Sequence, residues 1–334
     1  MRAITIDKEY GNLSEMLQNL RVTDRPLREL KDNELLVKME GAPCNPSDIA
    51  FLRGMYQIKK DFPAVPGFEG SGIIIACGKN LDQSALTGKR ISCFIQDNDD
   101  GTWAEYFIAK ADNCLLLRDD FPKNEAPVFF INPFTAYGLF QTALDKGDRT
   151  IVLNAAAGQV GGFIRQFAKE SGIKVINIVR RPQHVEKLKQ EGETLVLNMR
   201  DKNFRQDSLK MFNEYQPETG FDAVAGDQTS FLLEIMPRYA EIVVYGGLSG
   251  NPLSVDVLKL IFESKRISGF NLGDWIRQTG RQKLEEISDK LQQMFIDGIL
   301  RTRIQKTITF DEIQQGLYQY LTKMSDGKVI IRAE

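Results

Sequence analysis

Residues 154–162 read NAAAGQVGG, between a short apolar run, TIVL, and the segment FIRQFAKESG. Small residues between a buried strand and a helix can make a tight turn, or they can let backbone amides close around a phosphate. The dinucleotide fingerprint asks for G-x-G-x-x-G at such a junction. The corresponding positions are Ala156, Gly158 and Gly161, with alanine in place of the first glycine. Gly158 would let the backbone approach a pyrophosphate, and Gly161 would let the helix pack close to the strand. The first helical residues, Gln159 and Val160, would then offer N–H groups to the phosphates. A second strand, KVINIV, follows about 20 residues on and favours the phosphate cradle over a merely structural turn. It ends Val179-Arg180-Arg181-Pro182. An NAD site places an acidic residue there, whereas guanidinium forks match the oxygens of a 2′-phosphate. Arg180 and Arg181 therefore point to NADPH rather than NADH, the bland alternative being a solvated basic loop.

A His/Cys zinc site is not expected. The only histidine is His184, in RRPQHVEKL at the start of a helical stretch, and it reads as a polar surface residue. The cysteines, Cys44, Cys77, Cys93 and Cys114, are scattered, with no C-x-x-C pair. They read as reduced, mostly buried thiols.

The elements that must position these residues fall into two textures. A chain of 334 residues exceeds one ordinary core and suggests two domains. Up to about residue 126 the sequence consists of short strands broken by Gly, Pro and Asp: ELLVKMEGAP, GSGIIIACG, KRISCFIQD, GTWAEYFIAK, NCLLLRD. That is a barrel-like, all-β texture. From there, TIVLN, KVINIV, TLVLN, FDAVAGD and AEIVVYGG alternate with helical stretches. Such alternation implies a Rossmann-type, doubly wound parallel sheet. The tail, with the amphipathic RQKLEEISDKLQQMFIDGIL and the strands RTRIQKTITF and GKVIIRA, is expected to return to the first domain. The expected boundaries are 1–126 with 270–334 for the β-rich domain and 127–269 for the nucleotide domain.

A formal net charge of −2, with both signs interspersed, argues against nucleic acid as a partner. No apolar run is long enough to cross a bilayer. The opening MRAITIDKEYG lacks the apolar core of a secretion signal, so the cytoplasm is the expected compartment.

Several motifs occur together and in order: Asn45-Pro46-Ser47-Asp48, Arg53-Gly54-Met55-Tyr56, Pro63-Ala64-Val65-Pro66-Gly67-Phe68-Glu69-Gly70, Gly101-Thr102-Trp103-Ala104-Glu105-Tyr106, Asn132-Pro133-Phe134-Thr135-Ala136-Tyr137, and Tyr245-Gly246-Gly247-Leu248-Ser249-Gly250. With the glycine turn they resemble the medium-chain dehydrogenase/reductases over nearly the whole chain. The likeness is to the zinc-free quinone reductase and 2-enoyl thioester reductase branch. It implies a GroES-like catalytic domain beside the Rossmann domain. Zinc-dependent alcohol dehydrogenases carry a ligand histidine in G-H-E, where this chain has Gly67-Phe68-Glu69, and a cysteine where it has Asn45-Pro46. The resemblance thus also implies no metal. NPSDI followed by RGMY, NPFTAY, INIVRRP and Trp275 in GFNLGDW look more like the enoyl thioester reductases.

The implied reaction delivers hydride to the β-carbon of an alkene conjugated to a carbonyl, and negative charge builds on the carbonyl oxygen. A tyrosine of ordinary pKa, near 10, is protonated at neutral pH and can donate a hydrogen bond to that oxygen. Tyr56 is the candidate donor, and a packing residue at a cleft lip is its alternative. The Asn45 amide could order the nicotinamide, Tyr56 or water, or could simply form a turn before Pro46. Thr135 could face the nicotinamide or cap a helix, and Trp275 could wall the substrate pocket or fill a core. Gly226-Asp227 and Tyr245-Gly246-Gly247 follow parallel strands, where ligands bind. In this family Lys328 could reach the cofactor. Glu69 is not expected to act as a base.

The expected function is therefore NADPH-dependent reduction of 2-enoyl thioesters of the fatty-acid-synthesis type. The alternatives are a reductase of quinones or α,β-unsaturated ketones, and a non-catalytic NADPH-binding sensor. The partner is a small molecule. A homodimer is expected through a sheet edge near EIVVYGG and residues 251–268, because an apolar edge invites pairing.

Overall fold

The computed structural model describes residues 1–334, which form two compact units. One comprises Met1–Asn132 and Thr279–Glu334, the other Pro133–Gln278.

The first unit begins with β1 (Arg2–Thr5), α1 (Leu13–Asn19), β2 (Arg21–Asp24), β3 (Glu34–Pro43), α2 (Pro46–Leu52), β4 (Glu69–Cys77), α3 (Gln83–Leu86), β5 (Arg90–Phe94), β6 (Tyr106–Lys110) and β7 (Cys114–Leu116). The second holds most of α4 (Ile131–Lys146), then β8 (Thr150–Leu153), α5 (Gln159–Ser171), β9 (Lys174–Val179), α6 (Pro182–Gln190), β10 (Val196–Asn198), α7 (Phe204–Tyr215), β11 (Thr219–Asp222), α8 (Asp227–Ile235), β12 (Glu241–Val244), α9 (Val257–Glu263), β13 (Arg266–Gly269) and nearly all of α10 (Leu272–Thr279). The chain then returns to the first unit as α11 (Arg281–Ile296), β14 (Ile304–Thr309), α12 (Ile313–Thr322) and β15 (Lys328–Arg332).

In the first unit the long strand β3 is the spine. It pairs antiparallel with β4, β6 and β15. Its inward positions Leu35, Val37, Met39 and Ala42 join Phe51, Phe68, Trp103 and Phe107 in one core. Leu317, Val329 and Ile331 from the tail enter the same core, which is what holds the tail to this unit. The Trp103 indole is fully buried and donates to the Pro43 carbonyl at 3.1 Å, so its one polar atom is satisfied.

The second unit is a six-stranded parallel sheet in the order β10-β9-β8-β11-β12-β13. TIVL is buried at every position, as a central strand covered on both faces must be. Strand order reverses between β8 and β11, and the carboxyl ends beside such a reversal form the ligand-binding crevice of doubly wound sheets. Gly172, at φ 71°, ends α5 in the left-handed region, and Pro182 opens α6. At the far edge β13 has a single sheet partner. Nearby α9 turns Val257, Leu258, Ile261 and Phe262 to solvent, Phe262 being 69% exposed.

The unit boundaries lie later than the sequence suggests, at 132/133 and 278/279 instead of 126/127 and 269/270. Side-chain packing moves them. Phe129 packs with Phe121 and Phe295, and Phe130 stacks on Phe94, which keeps this stretch with the β-rich unit. Trp275 packs on Tyr137 and Phe270 and keeps α10 with the parallel sheet. No helix is long and apolar enough to cross a membrane. All four cysteines are free; Cys44, Cys93 and Cys114 are buried and Cys77 is half-buried.

Candidate active site

The turn from β8 into α5 has the form of an anion cradle. Gly158 is the residue before the helix and offers no side-chain cap, so the first-turn amides of Val160 and Gly161 have no intrahelical acceptor. A Cβ on Gly161 would lie 2.5 Å from the Ala156 carbonyl oxygen, so only glycine lets the helix start this close to the turn. The alanine at position 156 is tolerated because the left-handed residue is its neighbour Ala155, at φ 45°, while Ala156 itself is buried. From within α5 the buried Arg165 donates to the Ala156 carbonyl and pairs with Glu191 (2.8 Å) and Glu193 (3.1 Å).

At the strand reversal the fully buried Asp222 carboxylate braces the loop after β11. It accepts from the amides of Val224 (2.8 Å) and Ala225 (2.9 Å), from the Asn154 side chain (2.5 Å) and from the Thr229 hydroxyl (2.5 Å). Tyr245, Gly246 and Gly247 follow β12 at the same end of the sheet. The Tyr245 phenol is pushed up by burial, and a Cβ on Gly246 would lie 2.7 Å from the Ala223 carbonyl. Arg180 is exposed just after β9, and the half-buried Arg181 sits at the N-cap of α6 beside the half-buried His184. Thr135 is buried, four residues inside α4, which removes the capping reading. Trp275 is half-buried, and a Cβ on Gly138 would come 3.0 Å from its ring.

The first unit holds a dry polar cluster. Asn45, Asp48, Glu69 and Lys328 are each no more than 6% exposed. Glu69 Oε1 accepts from the backbone amides of Phe130 (2.9 Å) and Ile131 (2.7 Å), and Oε2 accepts from Asn45 Nδ2 at 2.9 Å. Lys328 Nζ donates to Asn45 Oδ1. Asp48 accepts from the amides of Asn45 (2.7 Å) and Phe68 (2.9 Å), which fixes the start of α2. Asn45 is thus a neutral bridge between an ammonium and a carboxylate, with both ends of its amide engaged. Lys328 likewise makes this hydrogen bond inside the unit. Burial pushes the Glu69 and Asp48 carboxyls up, Asp48 to about 7, and pushes Lys328 down. No group of three or more His, Cys, Asp or Glu side chains lies where it could hold a metal ion.

Tyr56 lies beyond this cluster, half-buried, with its ring 5.4 Å from that of Phe68. Lys60 Nζ lies 5.8 Å from the Phe68 ring centre. The Tyr56 oxygen accepts a hydrogen bond from Gln96 Nε2 at 2.5 Å. Burial raises the phenol pKa, the Gln96 bond opposes this, and Asp48 adds to the rise; the group is protonated at neutral pH.

Sequence reasoning missed Glu69, Asp48 and Gln96 as site residues. For Glu69 the signal was a lone acid within GFEGSG, where glycines crowd the backbone; for Gln96 the sequence offers none.

The Asp48 carboxyl gives a pH prediction. The folded protein holds its proton up to about pH 7, whereas an unfolded aspartate releases it near pH 4. Between those values the folded state binds more protons than the unfolded one, so this group's contribution to stability falls as pH rises. The stability advantage of wild type over Asp48→Asn should therefore shrink steadily from about pH 4 to about pH 7 in urea unfolding. An advantage that is constant or grows with pH would contradict the assignment.

Comparison with known proteins agrees with this geometry. Residues 31–119 match the alcohol dehydrogenase GroES-like domain and residues 160–291 match the zinc-binding dehydrogenase family. The mitochondrial enoyl-[acyl-carrier-protein] reductase of Xenopus tropicalis is 32% identical over 85% of this chain and 82% of its own length. That of Arabidopsis thaliana is 29% identical over 91% of this chain and 81% of its own. Among solved structures, a Mesorhizobium loti protein proposed to be an NADPH:quinone reductase superposes with a TM-score of 0.93 at 30% identity, covering 99% of this chain and 98% of the other. The Escherichia coli quinone oxidoreductase, solved with NADPH, shares the fold at 22% identity with a TM-score of 0.86, covering 99% of each chain. The chain belongs to the zinc-free branch of the medium-chain dehydrogenase/reductase family and is an oxidoreductase.

Proposed function

We propose that the protein reduces the activated C=C bond of 2-enoyl thioesters with NADPH and without a metal. The observation that carries this reading is the protonated Tyr56 phenol, whose oxygen already accepts from Gln96. Its own proton is therefore available to an acceptor. The bound coenzyme would supply hydride, and the protein's part is to bind, orient and stabilise charge. The Gly158–Gly161 turn would take the diphosphate, Arg180 and Arg181 the 2′-phosphate, and Thr135 and Tyr245–Gly247 the nicotinamide end. Trp275 would wall the acyl pocket. Asn45 and Lys328 act one step back, holding α2 and the Glu69 carboxylate. As charge develops on the thioester oxygen, Tyr56 donates to it.

The enoyl-[acyl-carrier-protein] reductase relatives support the thioester as substrate. The second reading, a quinone as acceptor, is favoured by the likeness to the Mesorhizobium loti protein. Purified protein should oxidise NADPH rapidly with a crotonyl thioester and more slowly with a 1,4-quinone. Quinone turnover without thioester turnover would promote the second reading, and coenzyme binding without either would mark a non-catalytic sensor. Tyr56→Phe should lower kcat for the thioester about 100-fold and leave NADPH affinity unchanged. An unchanged kcat would remove Tyr56 from the reaction.

In the same assay Arg180→Ala or Arg181→Ala should raise KM for NADPH about 10- to 100-fold with little effect on NADH, the cost of a lost charge-assisted bond. If neither changes the preference, these residues do not bind the 2′-phosphate.

The apolar face of α9 beside the edge strand β13 fits a second copy of the chain as partner. Light scattering should give twice the mass of one chain, and Phe262→Asp should reduce it to one; a monomeric wild type would refute the dimer.

A further inference from the structure

We infer that Gln96 is the residue that aims the Tyr56 hydroxyl, and that the acidic loop after β5 exists in part to hold it there. The inference rests on Tyr56 facing the reacting carbonyl. A phenol hydrogen lies near the ring plane and has two directions open to it. An amide nitrogen can only donate. With Gln96 Nε2 2.5 Å from the phenol oxygen, the direction toward Gln96 is closed to the phenol's own proton. The hydroxyl proton must take the other direction.

The same bond serves the chemistry. As hydride bonds to the β-carbon, the C=C pair shifts to the bond between the α-carbon and the carbonyl carbon, the C=O pair moves onto oxygen, and Tyr56 shares its proton with that oxygen. Negative charge grows on the phenol oxygen, and the Gln96 N–H offsets it. Donors that are in place before charge develops need no reorganisation as it appears.

Gln96 is firmly placed. The Ile95 amide donates to the Phe68 carbonyl at 2.8 Å, which ties the end of β5 to the residue whose ring lies tilted against that of Tyr56. The next residues, Asp97 to Asp100, are fastened on several sides. Asp97 pairs with Lys110 at 3.1 Å and Asp100 with Arg25 at 3.0 Å. Asp100 also accepts the Val65 amide at 3.0 Å, and Lys60 donates to the Asp99 carbonyl. The Asp99 carboxylate lies 3.7 Å from Arg28 and 3.9 Å from Lys31, so every aspartate of the loop has a cation beside it, and the neutral amide is the side chain presented to the phenol. Gln96 is a positioning residue, because it acts on the substrate only through Tyr56.

A double-mutant cycle on the full-length protein tests this, read by kcat for a crotonyl thioester and KM for NADPH. Gln96→Leu should lower kcat about 10- to 100-fold, the effect of one hydrogen bond to a group gaining charge, with KM for NADPH unchanged. In the Tyr56→Phe background the same substitution should change kcat by less than about twofold, since no hydroxyl remains to be aimed. The nearly isosteric Gln96→Glu, which accepts the phenol proton, should lose kcat as Gln96→Leu does and covers the case in which leucine is not tolerated. A wild-type kcat for Gln96→Glu, or equal losses from Gln96→Leu in both backgrounds, would overturn the inference. A wild-type kcat for Tyr56→Phe alone would instead refute the role of Tyr56, and the role of Gln96 with it.

Discussion

One buried ammonium must serve two buried carboxyls. Lys328, Asp48 and Glu69 lie together with almost no exposure, and the β-rich unit is organised around making that arrangement affordable. An isolated buried carboxylate costs several kcal/mol even after relaxation. Glu69 offsets part of that cost by accepting two backbone amides and the Asn45 side chain, with Lys328 on the far end of the same amide. Asp48 has two backbone amides but no cation of its own in contact, and its carboxyl is pushed up to about 7. The consequences reach four separate stretches of chain. β4, the start of α2, the start of α4 and the last strand are all fixed to one another by these few bonds.

Phe68 sits between this cluster and Tyr56 and carries the geometry outward. Its amide is held by Asp48, its carbonyl holds Ile95, and its ring lies tilted against that of Tyr56. The aromatic side chain at this position leaves the phenol against an apolar surface, with one neutral donor, Gln96, at its oxygen. The parallel-sheet unit solves a different problem by close approach. Helix α5 starts against the Ala156 carbonyl because Gly161 has no side chain, and Arg165 binds that carbonyl from below. In both units a bonded framework of buried side chains fixes the backbone around the few polar groups that matter for binding.

The alternation of apolar runs with helical stretches made the parallel sheet legible in the sequence. The glycine turn was legible for the same reason: strand, small residues and helix are contiguous. Where the two compact units divide depends on aromatic packing. Phe129 and Phe130 belong with Phe121, Phe295 and Phe94, and Trp275 with Tyr137, contacts that no local pattern reveals. The bonds of Asn45 and Lys328 were illegible because their partners lie far away along the chain; 283 positions separate the two residues themselves. Glu69 was undervalued because a glycine-rich bend looks exposed in sequence, whereas tertiary packing buries it completely.

The central claim is that Tyr56 and the glycine turn serve one reaction, hydride delivery to the β-carbon of an enoyl thioester. Tracing the label from NADPH deuterated at C4 of the nicotinamide tests it most directly. With a crotonyl thioester, product mass and NMR spectra should show one deuterium on the β-carbon of the saturated acyl chain and a solvent-derived hydrogen on the α-carbon. Product without deuterium at the β-carbon, or oxidation of the coenzyme with no saturated acyl product, would contradict the account.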